Sequence, residues 1–245
     1  YKPARYFFAK TNNEYNAQQL KDSLQFEWSR LHKDNLQAMM NVSSTHDAPR
    51  LLSDFYNTNK YKFHASPSDD HHYKTGKPDD EAYKRLRLYL VHLFTTIGAP
   101  QIWNGEEMGM WGGDDPHCRK PLMWKEFQFD NETRNNFHHG DKHYDKVAFN
   151  QQQFNWFKKL IAIRKNNPVL ATGELEFMES NGKRLAYKRH NEKEEIIVLF
   201  NLEGTKQEFT LPSSATYKDL LSTKIITSTK ALLHPLGAMI LARTK

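Results

Sequence analysis

The sequence predicts two regions, an α/β part reaching to about residue 167 and an all-antiparallel β part after it. Three observations carry this. Two long amphipathic stretches, at about 79–96 and 150–166, repeat apolar residues at helical spacing. Short apolar runs flank the first of them. After Pro168 the texture changes to brief β-branched and aromatic runs separated by turn residues.

From the N-terminus, the run QQLKDSLQFEWSRLHKDNLQAM brings Leu20, Leu24, Trp28, Leu31 and Leu36 near one helical face. MMNVSST then leads into His46 and Asp47, and predicts a strand of about four to six residues ending there. Residues 57–80 are rich in Asn, Ser, Pro and Gly and read as loop. Pro78 followed by Asp79, Asp80 and Glu81 opens a helix, with acids complementing the dipole of the first turn. Leu86, Leu90, Leu93 and Ile97 form its stripe, and Gly98 ends it. A short strand is expected at about 100–104. Residues 105–147 read as a Gly-rich loop region. In the second helix Phe154, Phe157, Leu160 and Ile161 face the core, and Asn167-Pro168 closes it.

Beyond Pro168 the segments ELEFMES, RLAYKRH, EIIVLFN, QEFTL, TYKDLL, IITS and AMILA read as strands, with Asn181-Gly182 as a hairpin turn. About 75 residues of this kind predict an antiparallel sandwich.

Composition excludes several classes. Of 245 residues 38% are hydrophobic and 26% charged, an ordinary share for a folded chain. One cysteine, Cys118, rules out an intrachain disulfide and a cysteine zinc finger. No apolar run approaches a membrane span, and no N-terminal stretch has the layout of a signal peptide. The chain opens on Tyr1, as expected of a processed chain or an excerpt. The net charge of +6 invites a nucleic-acid reading. Lys and Arg are mixed with acids throughout, however, as in KEFQFD and HNEKEEI, which argues for a solvated surface.

Two stretches carry chemistry. THDAPR, residues 45–50, sets an imidazole and a carboxylate after an apolar run, where a strand's C-terminal end can aim both at a ligand. GAPQIWNGEEMGMWGGDDPHCRKPLMW, residues 98–124, is a strand followed by a Gly-rich loop. Its Asp115-Pro116 and Arg119 can present a carboxylate and a guanidinium together, a pair suited to vicinal sugar hydroxyls.

In this order and spacing the motifs resemble the α-amylase superfamily of retaining glycoside hydrolases. THDAPR is similar to the family's His-Asp motif at the end of the seventh barrel strand, and GAPQIWNGEE to its eighth-strand motif. DDPHCRKPLMW resembles a loop of neopullulanases, cyclomaltodextrinases and oligo-1,6-glucosidases. LFNLEG and HPLGAMILA resemble strands of the family's C-terminal β domain. Thr45 stands where many members carry Asn or Ser, and Trp103-Asn104 where Tyr-Tyr is usual.

The resemblance implies about the last two units of a (β/α)8 barrel over residues 1–167, then a β-sandwich domain over 168–245. It implies that Asp47 stabilises the transition state and that His46, Arg50, Asp115 and Arg119 bind sugar, with Arg50 equally suited to bracing the motif. The nucleophile and acid/base motifs of the family are not found in the sequence. The expected parent is therefore a larger α-glucan hydrolase, with this chain as an inactive C-terminal portion that needs the N-terminal part of the barrel. A transglycosylase on the same scaffold and a non-catalytic amylase-fold binding protein are the rivals, with a stand-alone carbohydrate-binding module a third. The substrate implied is an α-glucan oligosaccharide, with neither nucleic acid nor a membrane span involved; a homo-oligomer is an open expectation. Calcium occurs in the superfamily, but no calcium ligand is assignable.

Other features have plainer readings. SDDHHYKTGKPDD with His71 and His72, and FHHGDKHYD at 137–145, could suit a metal but lack ligand spacing, and read as solvated loops. Cys118 lacks an evident activating partner. Of Trp103, Trp111 and Trp124, Trp111 in its loop is the better candidate for a sugar platform; Trp103, Trp28 and Trp156 are expected to pack.

Overall fold

The computed structural model describes residues 2–60, 63–134, 143–212 and 215–244. In chain order it begins with helices α1 (Lys2–Phe8), α2 (Ala17–Ser29) and α3 (Lys33–Ala38), then strand β1 (Met40–Asn41). Helices α4 (Leu51–Tyr56) and α5 (Asp80–Thr95) lead to β2 (Ala99–Pro100). A 3₁₀ turn (His117–Arg119) and a short hairpin, β3 (Glu132–Thr133) with β4 (Tyr144–Asp145), precede α6 (Gln151–Asn166) and α7 (Val169–Thr172). The β region holds β5 (Glu174–Asn181), β6 (Arg184–His190), β7 (Glu195–Asn201), β8 (Gln207–Thr210), β9 (Tyr217–Asp219), β10 (Ile225–Ile226), β11 (Lys230–Leu233) and β12 (Gly237–Arg243).

α5 is the central helix. Asp79 caps it, its side chain accepting from the Ala82 N–H at 2.9 Å, and its apolar side chains are buried along nearly the whole length. Gly98 follows at φ +89°, a left-handed turn in which a Cβ would lie 2.6 Å from the Met39 carbonyl. That close approach sets β1 beside β2, in parallel, with Met40 opposite Ala99. α4 and α5 form the crossover that parallel pairing demands.

The strand expected to end at His46 is only two residues long, and the one expected at about 100–104 stops at Pro100. A strand persists where a neighbour takes its backbone groups. Among the described residues β1 and β2 pair only with each other. Met40 is 61% exposed, and Val42 and Ile102 also reach solvent.

The β region is antiparallel as expected. Six strands run in the order β10-β9-β12-β7-β6-β5, with β8 and β11 as a separate pair. Gly182, at φ +54°, turns the β5–β6 hairpin. β11 has no counterpart among the expected segments. β7 is buried on both faces. Ile196, Val198 and Phe200 join a core shared with α1, α5 and α6, whereas Ile197 and Leu199 join a second core with Phe209 of β8 and Ala231 and Leu233 of β11. Period-two alternation thus feeds two cores at once.

A buried arginine ties the sheet to the helices. Arg189 on β6 is fully buried. Its Nη1 donates to the carbonyls of Thr95, Thr96 and Leu170 at 2.7–2.8 Å, and its Nη2 to Gly173 at 2.9 Å. These acceptors close the ends of α5 and α7, whose last carbonyls lack intrahelical partners. Arg189→Met should destabilise the chain by about 3 kcal/mol, because it strips buried carbonyls of their donors. Urea unfolding of the two proteins at neutral pH measures this.

Candidate functional site

The candidate site is built on loops that leave β1 and β2. After β1 the chain turns at His46 and Asp47, where the Asp47 N–H donates to Thr45 Oγ1 at 3.2 Å. His46 Nε2 lies 3.4 Å from Asp47 Oδ2, and both side chains are more than half exposed. After β2 the Gly-rich loop reaches Asp115-Pro116, a cis peptide, and the 3₁₀ turn. Arg119 Nη2 donates to Asp115 Oδ1, and both side chains face solvent. An exposed pair of this kind adds little stability, about 1 kcal/mol at most. Its groups stay available to a polar ligand.

The two motifs meet through buried residues. The Cys118 thiol, in the same turn as Arg119, donates to the His46 carbonyl at 3.0 Å. Burial pushes that thiol's pKa up, which leaves it a poor nucleophile and a structural donor.

Arg50 is the centre of the arrangement. It is 1% exposed. Its Nε donates to the Cys118 carbonyl at 2.8 Å and its Nη1 to the Asn104 carbonyl at 2.6 Å. Its backbone N–H donates to the Gly112 carbonyl at 3.0 Å. The guanidinium lies over the Trp103 ring at 3.6 Å. Its burial and these backbone partners suit the bracing role.

Glu106 lies against Arg50, its Oε1 3.7 Å from Nη1. The same oxygen accepts from Ser44 Oγ at 2.7 Å and faces the Leu51 N–H at 3.4 Å. Full burial raises this carboxyl to about 7, against the opposing pull of Arg50 and the Ser44 hydroxyl. Burial likewise lowers Arg50.

Other expectations move. Trp111 is 3% exposed, so it packs in the core and offers no ring face to a sugar. Trp103 lies beyond β2, half-buried beneath Arg50. Trp124 is 47% exposed. Among the described residues no group of three or more His, Cys, Asp or Glu comes together as a metal site. Most of the 137–145 stretch lies outside the described residues, and its end, Asp145, pairs with Arg134 at 2.7 Å. Among the described residues no helix is long and apolar enough to cross a membrane.

Sequence reasoning did not single out Glu106. The stretch NGEEMGM offers two adjacent acids, Glu106 and Glu107, and nothing local tells which of them the fold buries.

Comparison with known families places the chain among the glycoside-hydrolase scaffolds. Residues 2–173 match the alpha-amylase catalytic domain family, and the chain belongs to that family. It is 32% identical over 150 residues to a cyclomaltodextrinase of Thermoanaerobacter pseudethanolicus, covering 61% of this chain and 23% of that protein. A maltogenic alpha-amylase of Bacillus acidopullulyticus is 29% identical over 183 residues, 73% of this chain and 24% of that protein. The chain thus spans about a quarter of the length of these curated relatives. Among solved structures, an Anoxybacillus alpha-amylase superposes with a TM-score of 0.70 at 19% identity, over 99% of this chain and 45% of that one. A cyclomaltodextrinase structure does so with a TM-score of 0.70 at 20% identity, over 99% and 35%.

The Glu106 carboxyl gives the site a pH signature. It is raised in the folded chain to about 7 from an ordinary value of 4.5, so the folded state holds a proton that the unfolded state has lost. The associated stability is complete below about pH 4.5 and is lost as pH rises through 7. Its size is on the order of 3 kcal/mol. Glu106→Gln should flatten this part of the profile, as read by urea unfolding at pH 5.5 and pH 8.5.

Proposed function

We propose that the chain is the C-terminal portion of a retaining α-glucan hydrolase and supplies part of its sugar site. In this reading residues 1–167 hold about the last two units of a (β/α)8 barrel, and residues 168–245 form a β-sandwich that packs against them. The observation that carries the reading is the convergence of two exposed polar pairs, His46–Asp47 and Asp115–Arg119, on one buried brace.

The chemistry follows from the groups. Asp115 and Arg119 offer an acceptor and a planar donor, suited to adjacent hydroxyls of one glucose unit. His46 contacts a hydroxyl of the sugar at the scissile bond. Asp47 supplies a fixed negative charge beside the anomeric carbon, where positive charge develops in an oxocarbenium-like transition state. Retention also needs a nucleophile and an acid/base about 5–5.5 Å apart. In this reading both come from the N-terminal part of the barrel.

The open side of the parallel pair supports that division. A groove of about 900 Å³, lined by Tyr6, Leu24, Trp28, Leu31, Met40 and Val42, runs along β1. Met40 and Val42 project apolar surface there, as expected of strands awaiting neighbours.

Two outcomes test the reading. The 245-residue chain should bind maltotriose weakly by calorimetry, and Asp47→Ala and Asp115→Ala should each weaken binding about tenfold, the loss of a charge-assisted contact. The chain alone should release no sugar from maltooligosaccharides or pullulan above a boiled control; clear turnover would refute the assignment of nucleophile and acid/base to another segment.

A further inference from the structure

We infer that Glu106 is a positioning residue that fixes the His46–Asp47 turn from inside the fold. The functional consequence rests on the sugar-site reading above, whereas the positional claim stands on geometry alone.

The turn is short, and its two functional side chains are exposed, so little in their own packing holds them. The Cys118 thiol holds the His46 carbonyl within the turn, and the remaining anchors lie on either side. Ser44 comes immediately before the turn, and its hydroxyl donates to Glu106 Oε1 at 2.7 Å. Leu51 opens α4 just after the turn, and its N–H faces the same oxygen at 3.4 Å. One carboxylate oxygen therefore pins the chain before and after Asp47. Both anchors are buried, Ser44 to 2% and Leu51 to 2% exposure.

The carboxyl is itself fixed. Arg50 faces it from the turn's own segment, and Glu107 from the next residue. The phenol of Tyr89 on α5 feels its charge. Its other oxygen, Oε2, is buried and makes no hydrogen bond, so a proton can settle there without removing the acceptor that holds Ser44. This geometry distinguishes substitutions. Gln keeps an acceptor oxygen in place; Ala removes it.

The test uses the full ¹⁵N-labelled chain. Between pH 5.5 and 8.5 the backbone amides of Asp47 and Leu51 should shift together with a midpoint near 7. That transition should persist in His46→Asn, which removes the neighbouring imidazole, and vanish in Glu106→Gln. Amide exchange at Arg50 and Leu51 should stay close to wild type in Glu106→Gln and quicken about tenfold or more in Glu106→Ala, as local opening becomes easier. A transition that survives Glu106→Gln overturns the inference. So does unchanged exchange in Glu106→Ala. If Glu106→Ala does not fold, the Gln variant and the pH series decide. Maltotriose titration of the same samples separates the two claims: wild type without binding refutes the sugar site, and the amides alone judge the turn.

Discussion

The buried guanidinium of Arg50 is the constraint on which the candidate site depends. A cation removed from water must find acceptors, and breaking such a set is costly. Here the acceptors are the carbonyls of Cys118 and Asn104 and the nearby carboxyl of Glu106. They come from the loop beyond β2 and from the turn that carries Arg119. Satisfying one side chain therefore fixes the relative position of segments about 70 residues apart in sequence, which loop composition alone would not do. Trp103 covers the guanidinium face and keeps solvent from competing for it.

Arg189 solves a similar problem elsewhere. It offers its donors to the last carbonyls of α5 and α7 and so joins the helical layer to the sheet. The Tyr187 hydroxyl, two residues earlier on the same strand, lies 2.6 Å from the Thr95 hydroxyl and reinforces the junction. The apolar core crosses here without a break, from Phe8 and Tyr89 to Tyr187 and Phe200. Helix α5, which sets the position of β2 and hence of the site loops, is thus held at its C-terminal end by the β region.

Much of the scaffold was legible in the sequence because its signals are local. Asp79, Gly98 and Gly182 act through their own caps and turns, and the stripe of α5 reports on its buried face; in α6 Phe157 and Leu160 are buried as expected, but Ile161 is exposed and Ile163 takes its place. The exposed pairs of the candidate site were legible as well, through motif spacing. What escaped depends on distant partners. The lengths of β1 and β2 are set by neighbouring strands, and nothing within MMNVSST says how many there are. The burial of Trp111 and of Arg50 arises from the path of the Gly-rich loop, and Arg is a residue usually found outside.

The division between exposed groups and buried brace also shows which atoms the departures from the family pattern touch. Asn104 contributes its backbone carbonyl to Arg50, so the side chain there is not what the brace uses. Trp103 presents an aromatic face to the guanidinium, a role that Tyr also fills. Thr45 supplies a hydroxyl acceptor to the Asp47 N–H, as Ser does. In each case the change falls on an atom that the arrangement does not use, or replaces one acceptor or ring with another. Glu106 is different. Its carboxylate oxygen is the contact itself, received by a hydroxyl on one side of the turn and facing an N–H on the other. A substitution at Glu106 therefore removes a contact of the turn directly, whereas a change at Asn104 leaves the backbone carbonyl used by Arg50 in place.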